Sequence, residues 1–138
     1  MTTTDVPVGF SPLHRSSPFL DVIGPLFSRG SGEDLVIGIR VDSKHANARG
    51  FAHGGVLSTL ADVALGYAME SIAGRSISLV TANLTLDYAG AAKLGDWIET
   101  KVDIQKVGSR LAFANAYLFV GPSRIVRASA VFLVVQKL

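Results

Sequence analysis

Val56–Ala73, VLSTLADVALGYAMESIA, is the only stretch of this sequence long and periodic enough to predict a full-length helix. It is apolar nearly all round, through Val56, Leu57, Leu60, Val63, Ala64, Leu65, Tyr67, Ala68, Met69 and Ile72. A helix of that kind has no broad wet face, so the rest of the chain must bury it. Its polar or small positions, Thr59, Asp62, Gly66 and Glu70, fall three or four residues apart and share one narrow stripe.

The flanking sequence supplies the cover. Upstream, Glu33–Val41 (EDLVIGIRV) alternates at Leu35, Ile37, Ile39 and Val41 and predicts a first strand, followed by a polar loop over Asp42–Gly50. Beyond Gly74 the pattern turns to strands at Ser76–Tyr88, Asp96–Lys106, Leu111–Val120 and Ile125–Val135. The connections between them are short and Gly-bearing, which favours antiparallel neighbours over crossovers. One strand, one buried helix and four more strands predict an α+β fold, with an antiparallel sheet of about five strands wrapped around one central helix. Residues 1–138 form a single expected domain. Its first 30 residues, punctuated by Pro7, Pro12 and Pro18, read as an irregular lead-in with a short helix near Phe19–Ile23.

Composition bounds the function. The 138 residues are 49% hydrophobic and 17% charged, with a mean hydropathy of +0.39. That is apolar for one domain: either much of the chain is interior, or a partner subunit covers some apolar surface, and the second is favoured. No apolar run reaches the length of a membrane span, and residues 1–5 do not begin a secretory signal. The chain has no cysteine, so disulfides, thiolate nucleophiles and Cys-ligated metals are excluded, and the cytoplasm is the expected location. A net charge of +2 from scattered basic residues disfavours nucleic acid. His14, His45 and His53 are poorly spaced for a metal, so neither metal nor cofactor is expected. No G-x-S-x-G elbow occurs, and the Gly30-Ser31-Gly32 turn lacks the strand-to-helix setting of a phosphate loop.

Two features can carry chemistry. Asp62 lies about two turns into the apolar helix, where an unpaired carboxylate costs several kcal/mol. The helix pattern alone leaves two readings open: a solvated stripe, or a carboxylate made basic by a partly dry pocket. His53-Gly54-Gly55 sits where the helix should start. Two glycines allow close backbone approach, and free N–H groups of a first turn can stabilise a developing oxyanion. An ordinary loop-to-helix turn is the plainer reading of the same three residues.

Several linked matches favour the chemical reading. Asn47-Ala48-Arg49-Gly50-Phe51-Ala52-His53-Gly54-Gly55, followed by Leu60, Asp62 and Gly66, resembles the N-x-x-G-x-x-H-G-G…D signature of PaaI-type hotdog-fold acyl-CoA thioesterases. Downstream, Thr81–Tyr88, Ala92–Asp96 and Val107–Phe113 resemble that family's next strand, turn and hairpin, in order and spacing.

The resemblance implies a set of roles. Asp62 would activate water or attack the thioester, and the Gly54 amide would polarise its carbonyl with Gly55 as a neighbouring donor. Asn47 and His53 would support the pocket, and the Thr81 hydroxyl would position the water, provided the strand register puts it on the right face. Gly108, Ser109 and Arg110 are candidates for meeting CoA phosphates, although a solvated turn explains them equally well. The family's pairing further implies a homodimer with shared sites, Asn47, His53 and Gly54 facing Asp62 and Thr81 of the partner, and a tetramer as a dimer of dimers. A hotdog hydratase or dehydratase and a non-catalytic acyl-CoA binder are the competing readings.

Overall fold

The computed structural model describes residues 5–136. In chain order its elements are β1 (Ser11–Pro12), α1 (Pro18–Ile23), β2 (Phe27–Arg29), β3 (Val36–Arg40), α2 (Gly54–Ile72), β4 (Ile77–Tyr88), β5 (Trp97–Val107), β6 (Leu111–Val120) and β7 (Ser123–Gln136). All strands join one antiparallel sheet in the order β1-β2-β3-β5-β6-β7-β4.

The sheet wraps α2 as the sequence predicts, but it has seven strands rather than about five. The two extra strands come from the Pro-rich lead-in. They span two and three residues, too few to show an alternation, and are recruited by pairing: Phe27–Arg29 lies along Val36–Gly38, and Ser11–Pro12 along Phe27–Ser28. The first long strand is also shorter than expected, because Gly32–Asp34 turns as a 3-10 helix before Val36.

Close approach of helix and sheet rests on small residues. Ala61, Ala64 and Ala68 of α2, Ala112, Ala114 and Ala116 of β6, and Ala128 and Ala130 of β7 are all buried in one core. Leu57, Leu60, Leu65 and Met69 on α2 fill the wider gaps, each contributing about 1.5–3 kcal/mol by leaving water. At the other side Gly38 makes room for Trp97: a Cβ there would stand 2.3 Å from Trp97 Cζ2. The same indole meets Phe10 edge-on at 5.1 Å and Phe27 at 5.8 Å, which fastens the lead-in to the sheet. Among the described residues no helix is long and apolar enough to cross a membrane.

One irregularity in β4 matters for the site. Thr81 pairs with Phe132 and Asn83 with Val131, so one residue, Ala82, is extra on the β4 side. Such a bulge reverses which side chains face inward. Before it, Ile77, Leu79 and Thr81 share the face of buried Phe132; after it, Leu84 and Leu86 oppose buried Ala130 and Ala128.

Candidate active site

Because of that bulge, the Thr81 hydroxyl reaches Asp62 on α2 and donates a 2.6 Å hydrogen bond to Oδ1. A carboxylate only accepts, so the hydroxyl proton is committed to Asp62. Oδ2 makes no hydrogen bond among the described residues. Asp62 is half-buried at the side of a groove of about 460 Å³ between α1 and β4, lined by Ser17, Phe19, Leu20, Val63, Thr81 and Leu84 among others. The stripe on α2 is therefore not simply solvated. The lead-in lies along it, with Arg15 paired to Glu70 at 2.5 Å and stacked over Tyr67 at 4.0 Å.

The N-terminus of α2 is built by different contacts. His53 caps the helix with its own ring, Nδ1 accepting the Gly55 N–H at 2.8 Å. The Gly55 amide is thus already occupied, whereas the Gly54 N–H has no acceptor among the described residues. Tyr88, at the end of β4, donates to the Gly54 carbonyl at 3.1 Å and holds this turn against the sheet. Asn47 stiffens the loop before it: Oδ1 accepts from the Arg49 and Phe51 N–H groups at 2.9 and 3.2 Å, while its amide nitrogen has no acceptor among the described residues.

His45 joins the supports of the two clusters. It is 3% exposed, accepts the Asp42 N–H at Nδ1 (2.9 Å) and therefore carries its proton on Nε2, which meets the Ile23 carbonyl at 2.6 Å. Its own carbonyl accepts the His53 N–H at 2.7 Å. One buried neutral imidazole thus ties the end of α1 to the start of α2.

The predicted residues fall into three places. Asp62 and Thr81 meet; Asn47, His53, Gly54 and Gly55 gather at the helix start. Gly108, Ser109 and Arg110 form the β5–β6 turn beyond the far end of α2, where Arg75 donates to the Gly108 carbonyl at 2.7 Å. Sequence reasoning missed Phe19, Leu20 and Ser17 as groove walls, Tyr88 as a brace, and Arg75 beside the turn. Only α1 had a signal, the Ser17-Pro18 pair that caps and opens it.

Comparison with known proteins fixes the class. Residues 49–126 match the family model described as the thioesterase superfamily. A Pseudomonas aeruginosa protein provisionally named an esterase, PA0474, is 50% identical over 129 residues, 93% of this chain and 96% of that one. Acyl-coenzyme A thioesterase 13 of Mus musculus is 33% identical over 86 residues, 62% of this chain and 61% of that one. Among solved structures, smu.793 from Streptococcus mutans bound to acetyl CoA superposes with a TM-score of 0.79 at 22% identity, covering 91% of this chain and 97% of that one. A variant of the phenylacetic acid degradation protein PaaI from Thermus thermophilus superposes with a TM-score of 0.75 at 21% identity, covering 85% and 98%.

Fold and relatives together define a hotdog-fold hydrolase of thioesters. The chain belongs to the thioesterase superfamily.

Proposed function

We propose that the substrate is an acyl- or aryl-CoA, hydrolysed to the free acid and CoA with Asp62 as the catalytic carboxylate. The observation that carries this is the Asp62–Thr81 hydrogen bond beside a largely apolar groove. Thr81 fixes one carboxylate oxygen and leaves the other for the reaction. As general base, Asp62 takes a proton from water while the water oxygen adds to the thioester carbon. The carbonyl electrons move onto oxygen, and collapse of the tetrahedral intermediate expels the CoA sulfur, which receives the proton from Asp62. As nucleophile, Asp62 adds to the same carbon, expels CoA thiolate and leaves a mixed anhydride that water cleaves.

The oxyanion donor in either route is the Gly54 N–H, and the helix geometry supports its coming from a second subunit. Gly54 and Asp62 are eight residues apart on one helix, about 12 Å, too far to serve one carbonyl. Two helices packed in opposite directions, offset so that only their first halves overlap, bring each N-terminus to the middle of the other. β4 supports such pairing: among the described residues it is a twelve-residue edge strand bonded only to β7, and a second copy can extend it. Asn47 and His53 then brace the donor loop opposite the partner subunit's groove. A further dimerisation into a tetramer has support on the outer sheet face, where Val80, Leu133 and Leu111 form an exposed apolar row across three strands. CoA phosphates are assigned to the β5–β6 turn, where Gly108, Ser109 and Arg110 have Arg75 beside them. Action in the cytoplasm accords with a cysteine-free chain.

The test is release of free thiol from a panel of acyl-CoAs by wild type and Asp62→Ala. Thiol release is expected to fall by about 10³-fold or more in the variant. Hydration of an enoyl-CoA without thiol release contradicts hydrolysis, and binding without turnover supports a non-catalytic binder.

A further inference from the structure

Beside the Asp62 groove lies a second, smaller one of about 230 Å³, lined by Ile23, His45, His53, Gly55 and Val56 among others. Two side chains line both grooves, Thr59 and Phe19. Thr59 turns its hydroxyl back to the Gly55 carbonyl at 2.9 Å and so lies low against the helix. Phe19 instead stands out with 59% of its surface exposed.

The ring contributes little to holding its own element in place. α1 is fixed at its far end by the His45–Ile23 contact and by burial of Leu20, and ahead of its start by the Arg15–Glu70 pair. An exposed apolar ring, carried by a pinned helix and set between two cavities, is a partition.

We propose that Phe19 sets the size of the acyl group, closing the Asp62 groove on the side of His53 so that compact acyl groups are the substrates. The inference rests on the reading of that groove as the thioester site. Leu20, Val63 and Leu84 give it apolar walls suited to a short aliphatic or single-ring acyl group, while Asp62 and Thr81 mark where the carbonyl must lie. Removing the ring joins the two grooves into one trough along α2. The added part carries Ile23 and Val56, apolar surface that only a long acyl chain can reach.

The experiment compares kcat/KM for acetyl-, hexanoyl-, benzoyl- and palmitoyl-CoA, by thiol release, in wild type, Phe19→Leu and Phe19→Ala. Thermal melts confirm that each variant is folded. Wild type is expected to favour the compact groups over palmitoyl. Phe19→Ala is expected to raise the palmitoyl-to-benzoyl ratio on the order of 10-fold or more, chiefly through KM, with Phe19→Leu between. Should Phe19→Ala fail to fold, Phe19→Leu and Phe19→Trp carry the comparison, and tryptophan is expected to lower the ratio. An unchanged ratio in folded variants overturns the role of Phe19 and leaves Asp62 hydrolysis standing. Absence of Asp62-dependent thiol release from every thioester overturns both.

Discussion

Asp62 and Gly54 each present one unsatisfied group at the right kind of place: a carboxylate oxygen beside an apolar groove, and an amide at a helix N-terminus. Helix periodicity left Asp62 between a wet face and a working site, because periodicity reports direction and not what lies opposite. The structure supplies the opposite side, Thr81 and α1. At the helix start, the resemblance implies Gly54 as the main donor with Gly55 beside it, and in the structure the His53 ring occupies the Gly55 amide and leaves that of Gly54. A ring turning back two residues onto its own backbone has no sequence pattern. The Gly54 donor can be removed cleanly. Proline lacks the N–H yet suits the first helical position, and His53 at ψ 139 already has the conformation that precedes proline. Gly54→Pro is expected to keep its melting temperature within a few degrees while kcat falls about 10²–10³-fold, measured by thiol release. A loss of folding instead would assign Gly54 a structural role.

The elements show why the main body of the fold could be read and its edges could not. The central helix and four long strands carry enough residues for a period to emerge, and their bounds differ from expectation by only a few residues. β1 and β2 carry no period of their own and exist because β3 offers β2 an edge and β2 in turn offers one to β1. The β4 bulge had a faint signal: apolar residues sit at odd positions in Ile77 and Leu79 but at even ones in Leu84 and Leu86. Val80, apolar and outward, obscured the switch. Close packing at the opposite side of the sheet is tested by Gly38→Ala. With Trp97 Cζ2 at 2.3 Å from the new Cβ, the indole must move and its contacts with Phe10 and Phe27 loosen. A loss of about 1–3 kcal/mol is expected from chemical denaturation. Unchanged stability would mean that the indole has free space to yield.

At the scale of the whole molecule, the apolar composition and the long unpaired edge of β4 point the same way, to a second copy. On the proposed mechanism, the spacing of Gly54 and Asp62 along one helix turns that association into a chemical requirement, since a carbonyl held at Asp62 would need the Gly54 donor of a second subunit. The measurement that tests this most directly is thiol release by co-expressed Asp62→Ala and Gly54→Pro chains, each nearly inactive by itself. Random pairing places an intact Asp62 opposite an intact Gly54 in about one site in four, so activity is expected to return to about a quarter of wild type. Mixed assemblies no more active than either variant alone would contradict a site shared between subunits.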